Sequence, residues 1–515
     1  MAWRTKPLSP YPGIGAAVLV AAFILGTLVA VGWQADGSKG FAASDWVALR
    51  FTLKQATFSA LISVFLAIPV ARALARRRFW GRRILIALLG APFILPVIVA
   101  IFGLLQVFGR SGWISDILGV FGLPPIRIYG LHGVVLAHVF FNLPLATRLI
   151  LQGWQEIPAE RFRLAAQLGL SGRVMFRQIE WPMLQRVAPG VLAVIFAICL
   201  TSFAVALTLG GGPRATTVEL AIYQAFTYDF DLGRAALLSA IQLGLTVTAA
   251  VIALKLSNQA GFGAGMDKPV QRWDSVSPIR DFFWICLATG FLLLPLSSVV
   301  FSGLVGLFEL PSLVFRAAGV SILVAGASTC ILLVLALPMA AAIGAGTKGL
   351  VEIAGILGLA ASPLVLGTGL FILVRPYVNP SDLALLVTAL VNAVMALPFA
   401  LRILTPAARD VIVSHGRLAQ SLNMSGRVFF VRIMLARMRP QIGFAAGLAA
   451  ALSMGDLGVI SLFADAQTAT LPLQIYRLMG AYKMDAAAGA ALLLLCLSMG
   501  AFWLLDRGGR RHAEV

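Results

Sequence analysis

Few residues in this 515-residue sequence are placed to do chemistry, and their spacing excludes more than it offers. The chain has four histidines, and they are dispersed. His132 and His138 stand six apart, about 600° around a helix, so they share no face and form no ligand pair. Cys199, Cys286, Cys330 and Cys496 each sit alone in apolar sequence. Without a C-x-x-C or Cys/His cluster they suggest neither a disulfide framework nor a zinc site. A phosphate-binding loop needs G-x-x-x-x-G-K-[S/T], and none occurs. The Gly210-Gly211-Gly212-Pro213 run lacks the lysine and reads as a turn. The residues therefore predict no metal site, no cofactor bound by this chain and no catalytic residues.

The elements that carry these residues are set by composition. Sixty per cent of the residues are hydrophobic and 12% are charged, against roughly 25% charged in a soluble domain. So few charges cannot cover a soluble surface of this size, and the chain needs lipid as its solvent. Its net charge of +19 would suit a nucleic-acid partner in a soluble protein. Here the basic residues cluster between apolar segments, which is the positive-inside pattern, so no nucleic-acid partner is expected. A spanning helix needs about 20 apolar residues. Candidates run near 14–33, 52–75, 84–108, 131–151, 187–210, 233–255, 281–303, 317–343, 351–374, 383–404, 441–463 and 486–505. The first follows Arg4 and Lys6 and reads as a retained helix rather than a cleaved leader. The basic loops at 76–83, 148–186 and 402–440 and the tail after Leu505 fall on one side when both termini are cytoplasmic.

Two segments repeat. Leu164–Ile179 and Leu418–Ile433 share nine of sixteen positions without a gap, 254 residues apart. Ser171-Gly172-Arg173-Val174 falls on Ser425-Gly426-Arg427-Val428, and upstream Leu143-Pro144 falls on Leu397-Pro398. Matching Ser, Gly and Arg in a polar loop is not chance apolar similarity. The chain is expected to be two parallel six-helix halves, 1–256 and 281–515, joined by a cytoplasmic linker at 257–280. Each half carries a cytoplasmic loop, 152–186 and 405–440, with a short amphipathic helix ended by a turn, a form that can seat in a partner's groove.

That loop resembles the signature of bacterial ABC-importer permeases, Glu-Ala-Ala, three residues, Gly, nine residues, Ile-x-Leu-Pro. Here the frame is Arg163-Leu164-Ala165, Gly169, Ile179 and Pro182, and in the second copy Arg417-Leu418-Ala419, Asn423 and Ile433. Arg replaces the acid in both copies, and the second lacks the Gly and the final Pro, which has become Ala436. Along nearly its whole length the chain is similar to permeases for thiamine or thiamine pyrophosphate, through 136–144, 164–169, 209–213 and 216–224. Fused ferric-iron permeases share the plan. The resemblance implies an all-α, type I ABC-importer permease fold of about twelve transmembrane helices in a bacterial inner membrane. It implies a homodimeric ATP-binding-cassette ATPase, carrying ATP and Mg, docked on both loops, and a periplasmic binding protein that delivers substrate.

Asp456, in Ser453-Met454-Gly455-Asp456-Leu457-Gly458, is an acid deep in an apolar segment. Such a group faces the bundle interior or water and would suit a thiazolium-type cation; a structural acid capped by Ser or backbone is the plainer reading. Tyr223 and Tyr476 occupy comparable places in the two halves, as part of an aromatic belt or of a substrate path. An ion-driven secondary transporter would need several buried ionisable groups at mid-membrane, and a membrane enzyme a cluster of them at one depth; little beyond Asp456 is present.

Overall fold

In lipid a backbone must satisfy its own hydrogen bonds, and long apolar runs do so as helices. The computed structural model describes residues 8–35, 42–90, 94–170, 172–210, 212–256, 278–347, 349–464 and 468–510, with no strand among them. In the first half the principal helices are α1 (Tyr11–Gln34), α2 (Ala43–Arg76), α3 (Val97–Phe108), α4 (Leu131–Gln155), α5 (Ala159–Gln167), α6 (Trp181–Leu200), α7 (Phe203–Leu209), α8 (Val218–Thr227) and α9 (Leu232–Leu256). In the second they are α10 (Pro278–Gly306), α11 (Ser312–Gly344), α12 (Pro363–Val374), α13 (Ala384–Ser421), α14 (Arg439–Met454), α15 (Gly458–Phe463), α16 (Leu471–Gly480) and α17 (Met484–Arg510). Among the described residues eleven helices are long and apolar enough to span, or twelve if a bent pair is one span. That pair, Leu350–Gly358 and Pro363–Val374, turns through 99°. Most of the expected linker, 257–277, lies outside the described residues.

Several expected spans prove to be broken. The segment 84–108 divides into Arg82–Leu88 and α3, because Pro96 lacks an N–H and disfavours helix in the residue before it. The segment 351–374 divides before Pro363, where Ser362 Oγ accepts from Leu364 N at 3.2 Å. The segment 187–210 is interrupted at Thr201 and Ser202, and 441–463 at 455–457. Conversely, 383–404 runs on as the 38-residue α13, straight through Pro398 and Pro406 and into the second loop.

The first helix of each half reaches across to the other, α1 for most of its packing and α10 while also packing on α17 of its own half. α1 packs on α11, α12 and Leu350–Ala360 of the second half, while α10 packs on α2 and α3 of the first. Glycines seat both. A Cβ on Gly103 of α3 would lie 2.4 Å from the Pro295 carbonyl oxygen of α10, and one on Gly369 of α12 would lie 2.4 Å from the Thr27 carbonyl oxygen of α1. Small residues let membrane helices approach this closely, where dispersion replaces a hydrophobic driving force. The repeat also governs the caps: Thr52 Oγ1 accepts from Val218 N at 2.9 Å, and Ser321 Oγ accepts from Leu471 N at 2.8 Å. The first bond fastens α8 to α2, and the second fastens α16 to α11.

Candidate functional site

The two loops are folded alike where their sequences differ. In the first, α5 buries Phe162 and Ala165 and exposes Arg163. Leu164 is 57% and Leu168 65% exposed; in the second copy Leu418 is 56% and Leu422 63% exposed. These leucines stand four apart on one helix face, so each loop presents an apolar pair to solvent. The helices end identically. Leu170 N donates to the Ala165 carbonyl at 3.0 Å and Gly169 N to Ala166 at 3.1 Å, while Met424 N donates to Ala419 at 2.9 Å and Asn423 N to Gln420 at 3.0 Å. This double bond closes a helix only if the residue past the end is left-handed. Gly169 has φ +62° and Asn423 φ +49°. Asn is the residue after Gly that most readily adopts this form, so the departure from the family pattern leaves the backbone unchanged.

Beyond the turn the chain re-enters a helix at Gly172 and Gly426, with Arg173 and Arg427 exposed. Ser425 Oγ caps the second at Val428 N, 3.4 Å away; Ser171 lies outside the described residues. Each copy then makes one π-helical turn, Phe176–Glu180 and Phe429–Met434, which partly buries Ile179 and Ile433. Pro182 stands in the first turn of α6. Ala436 takes its place in the second copy, but Pro440 occupies the first turn of α14 instead. The loops differ more upstream. Pro158, extended at ψ 134°, separates α5 from α4, whereas α13 is continuous there.

Asp456 lies at a helix break that opens on a cavity between the halves. The cavity, of about 390 Å³, is lined from the first half by His138, Asn142, Ser202, Phe203 and Glu219, and from the second by Asn392, Phe399, Ser453 and Asp456. Asp456 Oδ1 accepts from Gly458 N at 3.1 Å and so caps α15; its Oδ2 makes no hydrogen bond among the described residues. It is therefore both a backbone cap and a cavity group. Broken helices of this kind put free backbone ends and polar side chains where apolar spans would otherwise offer nothing to a polar solute.

Apart from His138, the other polar groups of the lining stand out little in the sequence, though the repeat pairs several of them. At the 254-residue offset His138 falls on Asn392, Cys199 on Ser453 and Ser202 on Asp456. His138 bridges helices, with Nδ1 3.1 Å from Ser59 Oγ and Nε2 2.7 Å from Ser202 Oγ. Asn142 Nδ2 donates to Cys199 Sγ at 3.3 Å, and Asn392 Nδ2 to Ser453 Oγ at 3.0 Å. Glu219, buried at the start of α8, accepts a hydrogen bond from Ser362 of the other half. Tyr223 stands beside the lining, its ring 5.2 Å from Phe203 and 6.0 Å from Tyr228, and Tyr476 is carried half-buried on α16. On the side away from the loops Phe226, Phe371 and Phe463 join the halves, with ring centroids 4.3 Å and 5.6 Å apart.

The arrangement is that of a transport subunit, two loop-bearing halves around a shared polar cavity. The thiamine transport system permease protein ThiP of Escherichia coli (strain K12) is 38% identical to this chain, over 100% of both. That of Brucella abortus (strain 2308) is 39% identical over 99% of this chain and 98% of its own length. The chain belongs to the family of thiamine transport permeases. It is accordingly a multi-pass membrane protein, and the family is a fused one. The sulfate transport system permease protein CysW of Synechococcus elongatus is 25% identical over half of this chain but 94% of itself, as the duplicated plan requires. No family model matches the chain.

Proposed function

We propose that this chain carries thiamine or its phosphate esters across the bacterial inner membrane, driven by a separate ATPase. The full-length likeness to thiamine transport permeases carries this reading. The cavity supports it chemically. Thiamine bears a fixed positive charge on a thiazolium ring, and Asp456 offers that charge a carboxylate oxygen without a hydrogen-bond partner among the described residues. Phe141, Phe203 and Phe399 line the same space and can stack on flat rings.

ATP would be hydrolysed on a homodimer of ATP-binding-cassette subunits, one against each loop, and a periplasmic binding protein would present substrate at the opposite end. Both termini then lie in the cytoplasm, on the side of the basic loops. The exposed Leu164 and Leu168, and Leu418 and Leu422, are the groups each ATPase would bury. Closure of the ATPase pair would draw the loops together and part the Phe226, Phe371 and Phe463 contact, so the cavity opens to one side at a time.

The deciding experiment is uptake by vesicles that hold the chain with its ATPase and binding protein. Labelled thiamine should enter with ATP, and ferric iron should not. Iron uptake without thiamine uptake would overturn the substrate. Asp456→Asn should weaken thiamine uptake about tenfold, the loss of one desolvated charge contact, while ATPase association is retained; unchanged uptake would remove Asp456 from the path.

A further inference from the structure

The first docking loop is bound to the rest of the molecule by a buried ion-pair relay whose residues are not repeated at the corresponding places of the second half. Glu180, the last residue of the first π-helical turn, has a fully buried side chain. Arg72 of α2 donates to it through Nε at 2.6 Å, and the same guanidinium lies 4.7 Å over the ring of Phe176 in that turn. Arg76, one turn further along α2 and 4% exposed, comes within 3.7 Å of Glu180 and 3.8 Å of Asp281. Arg77 closes on Asp281 at 2.8 Å. Asp281 belongs to α10, the first helix of the second half.

The residues at the corresponding places in the second half carry no charge. Met434 stands where Glu180 stands, 254 residues on. Aligning Pro338 of α11 with Pro69 of α2 places Ala341 and Ala345 where Arg72 and Arg76 are. The duplication therefore kept the loop and its cap but made one attachment ionic and the other apolar. Buried charges cost desolvation that apolar packing avoids, so an ionic attachment persisting where Ala and Met also serve calls for a role beyond holding the fold.

We propose that Glu180, Arg72, Arg76 and Asp281 are positioning residues for coupling: they convert movement of the first docking loop into movement of α2 and α10 together. Two reasons favour this. A charge-paired contact in a low-dielectric site is directional, and it resists separation more than a slip between Met and Ala. The relay also crosses the boundary between the halves at α10, which packs on both, so a displacement at one ATPase reaches both halves. The second loop passes its displacement to its own half by packing. This inference rests on the docking reading above.

The test uses the full chain reconstituted in vesicles with its ATPase and binding protein, and reads thiamine taken up per ATP hydrolysed. Glu180→Gln and Asp281→Asn should each lower that ratio about tenfold, with the KM for ATP unchanged and the ATPase still co-purifying. The paired variant Arg72→Ala with Glu180→Met takes the second half's residues at those two positions and leaves no unpaired carboxylate. It should fold, hold its ATPase and still couple poorly. A paired variant that couples as the natural chain does would overturn the inference, as would one that cannot be purified, since the pair would then serve only the fold. Failure of the natural chain itself to hold an ATPase would instead remove the docking reading.

Discussion

At the scale of single residues, Gly169 and Asn423 show how a departure in sequence can conserve a shape. Both stand past the end of a loop helix with positive φ, and both complete the same pair of backbone hydrogen bonds. A β-branched side chain in that conformation costs about 1–2 kcal/mol, whereas Gly and Asn tolerate it. Gly169→Asn should therefore keep coupled transport within about twofold, and Gly169→Val should abolish most of it, since the strain is relieved by unwinding the last turn and withdrawing Leu168. Transport per ATP in vesicles separates the two. Equal activity of both variants would show that the left-handed cap does not matter to docking. The same reasoning predicts that Asn423→Gly is silent.

The helices that cross between the halves are the element-scale feature on which stability rests. α1 belongs by chain order to the first half and by contact largely to the second, and α10 packs on both halves. Gly103 and Gly369 seat them, and a side chain at either would meet a carbonyl oxygen at 2.4 Å. Gly103→Leu and Gly369→Leu should each destabilise the folded chain by about 1–3 kcal/mol, the usual cost of overpacking a close contact. Gly26→Leu in α1 serves as the control, because no atom lies within 4 Å of its Cβ position. Melting in detergent should fall for the first two variants and not for the third. A Gly26 variant that melts as low as the others would show that the loss does not come from the close contacts at Gly103 and Gly369, since Leu in place of Gly favours the helix.

For the whole molecule, the halves should recognise one another without the covalent join. Each carries a helix that packs on the other, and Glu219 to Ser362 adds a buried hydrogen bond across the boundary. Fragments 1–265 and 266–515 produced together should co-purify and restore uptake, and either alone should fail to accumulate, since its crossing helix would lose its partner in the other half. Independent accumulation of a fragment, detected by size-exclusion chromatography in detergent, would show that each half folds alone.

The sequence by itself determined the class and the internal repeat that marks the two loops. Apolar runs and clustered arginines follow from solvation by lipid and need no tertiary contact, and Ser-Gly-Arg-Val repeated at one offset survives as letters. The turn at Gly169 was legible for the same reason, because backbone preference is local. Helix continuity was legible only in part: 187–210 and 441–463 look unbroken in composition, yet both open at Ser202 and Asp456 to meet a cavity that two halves make together. Tertiary structure alone decided which polar residues share that space. His138, Asn142, Glu219 and Asn392 are isolated letters in apolar sequence, and their hydrogen-bond partners lie up to 143 residues away. It also decided the crossing of α1 and α10 between the halves and the relay from Glu180 to Asp281. Those depend on which surfaces meet once the helices pack, and hydrophobic periodicity, which marks a buried face, does not name the face it is buried against.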